Sequence, residues 1–327
     1  MNATPEIEAR REMGIDRFLI TGAMGCIGAW VTKLLLEDGA TVAIFDLSTD
    51  DRRLRAIIDA EMLATVERIP GDITDVDQVS AAASGRTHIV HLAALQVPFC
   101  RANPPLGAAV NVTGTVNVFQ AAKEHGIANL AYASSMAVYG HPRNYGVNIL
   151  PPDAARLPET LYGVFKVANE DTATVYWQED HVPSIGIRPY TVYGPLRDQG
   201  VTAQPTLAIE AAVRGDDYHI EYGGVAGFQF APDVARVLTT AVRAAPDGAH
   251  VYSLAGDIVS MGEFVDVVSD ITGSATITHG DDPLPFPDGA DDGPLRQRLG
   301  ELPHTPLRDA VAVTAEFFKN GGQLGAS

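Results

Sequence analysis

Tyr162 and Lys166 stand four residues apart in the stretch YGVFK, and a helix at this position would place both side chains on one face. A free tyrosine has a pKa of about 10, too high for an efficient base near neutral pH. An adjacent ammonium group favours the phenolate and lowers that pKa, which would suit Tyr162 to acid–base catalysis. The same pattern fits a half-buried tyrosine beside a surface lysine, so the neighbouring motifs must decide.

Two serines follow a short apolar run in the stretch NLAYASS, at residues 129–135. If this run is a strand, Ser134 and Ser135 lie at the carboxyl edge of the sheet, where open α/β sheets bind their ligands. A serine there can form a hydrogen bond with a substrate hydroxyl or carbonyl group. Helix capping and turn formation are the alternative roles.

Three glycines recur at every third position in TGAMGCIG, between a predicted strand and a predicted helix. Gly22, Gly25 and Gly28 would let a pyrophosphate contact bare backbone N–H groups at a helix N-terminus, although tight turns and close helix packing also use glycine. Asp46 ends the second strand 18 residues beyond Gly28, near the spacing expected of a ribose-binding acid. A carboxylate there repels a 2′-phosphate, so we expect NAD rather than NADP.

The first half of the chain alternates apolar runs with helical patterns, which predicts βαβ units, a parallel sheet and a doubly wound Rossmann fold of the α/β class. We predict strands at residues 17–21, 41–46, 65–73, 87–95, 129–135 and 183–194, and helices at 27–39, 50–63, 75–84, 104–126 and 161–180. The predicted organisation is an N-terminal tail (1–16), an NAD-binding Rossmann domain with the catalytic residues (17–192), and a smaller C-terminal substrate-binding cap (193–327) interleaved with the Rossmann sheet. Residues 280–294, rich in proline, glycine and aspartate, are predicted to form a surface loop.

The overall composition is that of a soluble globular protein: 327 residues, 46% hydrophobic, with a formal charge of −18. The acidity and the lack of a basic stripe argue against nucleic acid and anionic membranes as partners. Cys26 and Cys100 make no disulfide framework or metal cluster, so we expect no metal. Without a signal-peptide pattern or a long apolar run, we expect a cytoplasmic protein.

Together these motifs resemble the extended short-chain dehydrogenase/reductase superfamily, the NAD-dependent epimerase/dehydratase group. The resemblance extends from about residue 18 to residue 234, and its further carriers are GDI (71–73), HLAA (91–94), NVTGT (111–115), SSMAVYG (134–140) and RPYTVYGP (188–195). It implies that Ser135 orients the reacting oxygen, that Tyr162 acts as acid and base, that Lys166 tunes Tyr162 and binds the nicotinamide ribose, and that Asn111 supports the catalytic geometry. The residues expected to bind the cofactor NAD are Gly22, Gly25, Cys26, Ile27, Gly28, Asp46, Asp72, Ile73, Leu92, Ala93, Ala94, Tyr162, Lys166 and Tyr190.

Three departures from the family pattern concern the substrate. Met136 and Ala137 stand where nucleotide-sugar dehydratases carry Asp-Glu, so we do not expect dehydration. Thr191 replaces the usual asparagine that helps hold a sugar nucleotide. Ala226 replaces the arginine that binds its diphosphate, and alanine cannot supply that charge.

We therefore predict hydride transfer between NAD and a secondary alcohol or ketone of a small sugar, sugar acid, lactone or polyol. The alternative is a sugar or nucleotide-sugar epimerase that keeps its NAD, and a third hypothesis is a non-enzymatic NAD sensor, against which the Ser–Tyr–Lys set argues. Residues 95–100 and the segment after Tyr193 are expected to shape the pocket, with His91, His141 and His219 as weaker polar candidates near it. A homodimer formed through helices at about 105–125 and 162–180 is expected from the family.

Overall fold

The computed structural model describes residues 16–244, 247–273 and 275–322, so the predicted tail lies outside the described residues except for Asp16. The strands are β1 (Arg17–Thr21), β2 (Thr41–Asp46), β3 (Glu67–Pro70), β4 (His88–His91), β5 (Asn129–Ala133), β6 (Ile149–Leu150), β7 (Ser184–Arg188), β8 (Thr191–Tyr193), β9 (Tyr218–Ile220), β10 (Val225–Phe230), β11 (Ala249–Ser253), β12 (Asp257–Ser260), β13 (Ile277–His279) and β14 (Gly289–Ala290). The α-helices are α1 (Cys26–Glu37), α2 (Arg52–Ile57), α3 (Ala60–Leu63), α4 (Val76–Ala83), α5 (Val97–Ala102), α6 (Pro104–Ala108), α7 (Gly114–His125), α8 (Leu161–Asp180), α9 (Gln204–Arg214), α10 (Ala231–Arg243), α11 (Met261–Thr272), α12 (Gly293–Leu299) and α13 (Leu307–Lys319). In this part of the chain, no helix has both the length and the apolar character needed to cross a membrane.

The central feature is a seven-stranded parallel sheet with strand order β11-β7-β5-β4-β1-β2-β3. The chain winds outward in one direction from β1 to β3 and then returns to the other side of β1 with β4. This reversal leaves a crevice beyond the carboxyl ends of β1 and β4, where doubly wound sheets bind ligands. The predicted fold class is thereby confirmed.

Both faces of the sheet are covered by helices because side chains alternate along each strand. Phe18 and Ile20 of β1 pack into a core with α1 and α10, whereas Leu19 points to the opposite core with α4, α7 and α8. Apolar residues of α10 at positions 234, 235, 237, 238, 241 and 242 are buried, as the helical period requires. Packing on both faces holds the strand ends in fixed positions.

The C-terminal part builds a second core beside the sheet. Strands β8, β10 and β12 form a three-stranded sheet in which β8 is parallel and β12 antiparallel to β10. Phe228 of β10 stacks on Phe264 of α11 with ring centroids 4.9 Å apart, and α9, α11 and α13 complete this core. Strand β11, from the same half of the chain, returns to the edge of the large sheet.

Four predicted elements differ from the structure. Residues 50–63 form two short helices, because the Asp59 side chain accepts a hydrogen bond from Glu61 N and starts α3 anew. The predicted long helix at 104–126 is interrupted by a π-helical turn at Ala109–Thr113. The predicted strand at 183–194 divides at Pro189 into β7 and β8, which join different sheets. Residues 284–286, predicted to lie in a surface loop, line the central cavity.

Candidate active site

A cavity of about 670 Å³ opens at the carboxyl ends of β1, β2, β4 and β5. Its walls come from the glycine-rich turn after β1, the strand ends, the start of α8, and loops of the C-terminal part. The predicted site residues that line it are Gly22, Gly25, Cys26, Ile27, Gly28, Asp46, Asp72, Ile73, Leu92, Ala93, Ala94, Ser135, Tyr162, Lys166 and Tyr190. The structure therefore brings together every predicted site residue except Asn111.

The three glycines serve two different purposes. A Cβ on Gly22, whose φ is +73°, would lie 2.6 Å from Ala93 N, and a Cβ on Gly28 would lie 2.3 Å from Gly22 O. These two glycines therefore let the protein's own backbone close the turn tightly, in contrast to the prediction that all three make room for a pyrophosphate. A Cβ on Gly25 would meet only Gly22 O, at 3.3 Å, so the protein's own backbone restricts this position less than the other two.

The N-terminus of α1 offers unused hydrogen-bond donors to the cavity. Gly25 is the N-cap, it provides no side-chain cap, and the first turn carries no acidic residue. Burial raises the pKa of the Cys26 thiol to about 12, so this position adds no negative charge at neutral pH. Free N–H groups and the positive end of the helix dipole together fit an anion such as a pyrophosphate.

At the far end of the cavity, Asp46 meets the glycine-rich turn. Its carboxylate accepts hydrogen bonds from Met24 N (3.0 Å) and Ser48 N (2.9 Å), which aim it along the cavity wall. Arg53 donates to Met24 O and to both oxygens of Asp198, so its charge is already neutralised. A paired arginine is a poor receptor for a 2′-phosphate, and the geometry accordingly suits a dinucleotide with a free adenosine ribose.

Ser135, Tyr162 and Lys166 converge at the opposite end. Ser135 follows β5, its Oγ accepts a hydrogen bond from Ala137 N at 3.1 Å, and its hydroxyl acts to lower the pKa of the Tyr162 phenol. Lys166, one helical turn after Tyr162 on α8, lies with its Nζ 5.6 Å from the centre of the Tyr162 ring. Lys166 Nζ donates to Ala133 O at 2.6 Å, which ties the helix to the end of β5.

The electrostatics of this trio correct one sequence-based expectation. Burial raises the pKa of Tyr162, while the Ser135 hydroxyl and the charge of Arg197, rather than that of Lys166, oppose the shift. Burial also lowers the pKa of Lys166 from 10.5 to about 8. In the protein alone, desolvation therefore outweighs the lowering of the Tyr162 pKa that sequence reasoning expects from the adjacent ammonium.

A buried ionic network supports the trio from behind. The Glu170 carboxylate accepts hydrogen bonds from Ser134 Oγ (2.5 Å) and from Arg188 Nε and Nη2 (both 2.7 Å). Arg188 Nη1 also donates to the Tyr139 hydroxyl at 2.7 Å. Because Glu170 lies one turn beyond Lys166 on α8, the network joins the catalytic helix to the ends of β5 and β7.

Asn111 is a positioning residue rather than a lining one. It is buried in the π-helical turn, where Oδ1 accepts from Leu95 N at 2.7 Å and Nδ2 donates to Leu95 O at 2.9 Å. These two bonds hold the backbone that begins the predicted pocket segment, of which residues 95–98 line the cavity. This placement behind the wall fits the expectation that Asn111 supports the catalytic geometry, and that role stays a prediction.

The remaining sequence candidates lie elsewhere. His91 is buried between Thr21 and Thr115, and burial lowers its pKa to about 3. Neither it nor His141 nor His219 lines the cavity. Among the residues described, no three His, Cys, Asp or Glu side chains come together as a metal site.

Sequence reasoning missed two parts of the wall. Arg197 lines the cavity from the loop after β8, and Leu284, Pro285 and Phe286 close it from the loop after β13. Phe286 meets Tyr190 edge to face, with ring centroids 6.2 Å apart. The sequence could have indicated Arg197, because it is an arginine in the segment after Tyr193 that was expected to shape the pocket. No local signal marked residues 284–286.

Most of the chain is similar in sequence to known proteins. Residues 18–255 match the family model described as NAD dependent epimerase/dehydratase family. A UDP-glucose 4-epimerase of Mycolicibacterium smegmatis is 29% identical over 322 residues, which cover 94% of this chain and all of the relative. A probable UDP-glucuronate 4-epimerase of Rhizobium meliloti is 31% identical over 187 residues, covering 55% of this chain and 54% of the relative.

Solved structures show the same architecture. MoeE5 in complex with UDP-glucose and NAD superposes with a TM-score of 0.79 at 25% identity, covering 93% of this chain and 99% of MoeE5. L-threonine dehydrogenase from Clostridium difficile reaches a TM-score of 0.82 at 19% identity over 94% and 99% of the two chains, a likeness of fold alone. The family match confirms both the predicted resemblance and NAD as the cofactor, and the chain belongs to the NAD-dependent epimerase/dehydratase family.

Proposed function

We propose that this protein is an NAD-dependent epimerase that inverts a secondary alcohol of a sugar or nucleotide sugar. The observation that carries the proposal is the single cavity in which an uncapped helix N-terminus, Asp46 and the group Ser135, Tyr162 and Lys166 line one continuous wall. The full-length likeness to a UDP-glucose 4-epimerase supports epimerisation over the dehydrogenase activity that sequence analysis favours.

NAD, when bound, supplies the group that accepts a hydride and gives it back. The chain's own residues handle the proton and the substrate oxygen. As the phenolate, which the Lys166 ammonium and a bound cationic nicotinamide would together favour, Tyr162 takes the proton of the substrate hydroxyl and returns it when the alcohol is restored, while Ser135 donates a hydrogen bond to the same oxygen. Lys166, held by Ala133 O, places a positive charge beside the phenol.

The apolar part of the cavity wall at residues 284–286 suits a substrate that must present both faces. The side chains of Leu284, Pro285 and Phe286 are apolar and cannot form hydrogen bonds that fix one orientation of a sugar ring. They also exclude water, which protects a transient ketone and strengthens the electrostatic contacts within the cavity.

A dehydrogenase of a simple sugar or sugar acid is the second candidate, and one observation favours it. Ala226, at the position expected of the diphosphate-binding arginine, is buried in β10 opposite Val259 and does not line the cavity. A substrate without a diphosphate needs no such arginine. The two candidates differ in redox balance, since only a dehydrogenase consumes external NAD.

The test begins with the purified protein and no added NAD. It is incubated separately with UDP-glucose, UDP-glucuronate, D-glucose, D-glucuronate and D-gluconate, and the sugar stereochemistry is followed by proton NMR. We expect inversion of one of these sugars without net formation of NADH, and its loss in Tyr162→Phe, which removes only the phenolic oxygen. Net NADH that depends on added NAD, without inversion, would instead establish the dehydrogenase.

A further inference from the structure

Arg197 differs from the other arginines that line the cavity. Arg53 is held by Asp198 at 2.6 Å, and Arg52 contacts Asp50 at 3.2 Å. For Arg197, no described carboxylate lies within ion-pair distance. Its guanidinium donates to Thr202 Oγ1, 3.1 Å from Nη2, and its buried Nε has no hydrogen-bond partner among the described residues. The cavity thus contains a guanidinium whose charge and donors are largely unused.

The backbone holds this arginine in place at a conformational cost. Leu196, immediately before it, is buried and adopts a φ of +75°, a region that residues with a Cβ rarely occupy. Asp198, immediately after it, accepts both hydrogen bonds from Arg53 and so anchors the loop to the Rossmann part. A strained residue on one side and an ion pair on the other preorganise Arg197 toward the cavity.

Two tyrosines supply further unused donors nearby. The hydroxyls of Tyr190 and Tyr222 are buried, and within the described part of the chain neither has a hydrogen-bond partner. Tyr190 lines the cavity together with Arg197, whereas Tyr222 is not among the lining residues. Buried polar groups without partners are costly, and a bound ligand that accepts their hydrogen bonds removes that cost.

We propose that Arg197, assisted by Tyr190, binds an anionic group of the substrate, a carboxylate or a phosphate. A forked guanidinium pairs with either group through two parallel hydrogen bonds. Arg197 and Tyr162 line the same cavity, and an anion held by Arg197 would therefore share that cavity with the phenol. The proposal rests on the proposed function, since it assumes that the reacting sugar lies beside Tyr162. Arg197 would supply the positive charge that is missing at Ala226.

The dinucleotide pyrophosphate is the competing anion, because the Arg197 charge also acts on Cys26 at the start of α1. The free N–H groups of α1 already provide a receptor for the pyrophosphate. The test must therefore measure cofactor binding and substrate binding separately.

The experiment compares Arg197→Gln with Arg101→Gln, a matched change at an exposed arginine that does not line the cavity. Both are made in a Tyr162→Phe background, so that no probe is consumed. Isothermal titration then measures binding of NAD and, to the NAD-loaded protein, of D-glucuronate, UDP-glucose and uncharged D-glucose. Tyr190→Phe, which removes one hydroxyl only, provides a milder second variant if Arg197→Gln fails to fold.

We expect Arg197→Gln to weaken D-glucuronate or UDP-glucose binding by about 10- to 100-fold relative to Arg101→Gln, with NAD and D-glucose affinities unchanged. A smaller loss of affinity for the same probe is expected in Tyr190→Phe. Weaker binding of D-glucuronate alone identifies Arg197 as a carboxylate receptor. Weaker binding of UDP-glucose alone identifies it as a phosphate receptor.

The proposal is overturned if NAD affinity falls instead, if no probe responds to the substitution, or if neither anionic probe binds the Tyr162→Phe parent. Because every arm measures binding to a protein that turns nothing over, failure of the epimerase assay leaves these results interpretable on their own.

Discussion

Replacing Glu170 by glutamine should destabilise the fold far more than a change of one side-chain atom suggests. Glu170 is 2% exposed and Arg188 8%, and two hydrogen bonds of 2.7 Å join them. Glutamine keeps the shape but removes the negative charge, so the Arg188 guanidinium stays buried with its main counter-charge gone. Breaking a buried ion pair in this way costs roughly 3–5 kcal/mol.

Urea unfolding followed by circular dichroism measures this cost. Asp171→Asn is the matched control, since Asp171 neighbours Glu170 on α8 and pairs with Arg156 at 2.7 Å, yet is 58% exposed. Exposed pairs contribute only about 0–1 kcal/mol, so this control should unfold near the wild-type midpoint. The double variant Glu170→Gln/Arg188→Met, which removes both charges, should be more stable than Glu170→Gln alone.

Two results would contradict this prediction. One is a free energy of unfolding for Glu170→Gln within about 1 kcal/mol of that for Asp171→Asn; the other is a further loss of stability when Arg188→Met is added to Glu170→Gln. Either result would mean that the charge on Glu170 is not what holds Arg188 in the core. Ser134 donates a hydrogen bond to the same carboxylate. Glu170→Gln should therefore also displace the neighbouring Ser135 and lower the catalytic activity.

Three further perturbations test other parts of the account. Gly163→Ala would bring a Cβ to 2.0 Å from Ala137 O and should lower the stability of the fold by at least ~2 kcal/mol. Gly262→Ala is also near a helix start, but no atom lies closer than 3.6 Å to its Cβ, and it should raise the stability by roughly 0.5–1 kcal/mol. Thermal melting compares the two variants. Asp46→Ala should weaken NAD binding about 10- to 100-fold in calorimetric titration, and unchanged affinity would refute its ribose role. Burial lowers the pKa of Lys166 from 10.5 to about 8, so the unfolded chain binds more protons between these values and the wild type gains stability as the pH rises through that window. Urea unfolding should therefore show that Lys166→Met has a higher free energy of unfolding than the wild type near neutral pH, by up to roughly 3 kcal/mol, and that this gain is smaller near pH 10. A gain in stability that does not change with pH would contradict the lowered pKa of Lys166.

The sequence predicted best those features that depend on local pattern. The apolar periodicity and the Thr160 cap, which accepts from Gly163 N, define α8 from Leu161 to Asp180, as predicted. The glycine spacing and the acid that ends β2 located the nucleotide end of the cavity for the same reason, since each signal lies within one βαβ unit.

Features that depend on distant partners could not be read locally. The π-helical turn around Asn111 is accompanied by its side-chain bonds to Leu95, 16 residues away. The opposing wall at residues 284–286 has a loop-like composition and becomes part of the site only through the fold. The raised pKa of Tyr162 reflects burial, which the spacing of Tyr162 and Lys166 does not reveal.

The central claim is that one cavity holds NAD beside Tyr162 and uses it without net consumption. The most direct measurement follows the near-ultraviolet absorbance of reduced nicotinamide in NAD-loaded protein mixed with UDP-glucose, while NMR follows the sugar. The account predicts that reduced nicotinamide never exceeds one equivalent per site while sugar inversion continues through many turnovers, and that Tyr162→Phe shows neither signal. Reduced nicotinamide that accumulates over many equivalents, or inversion that persists in Tyr162→Phe, would contradict it.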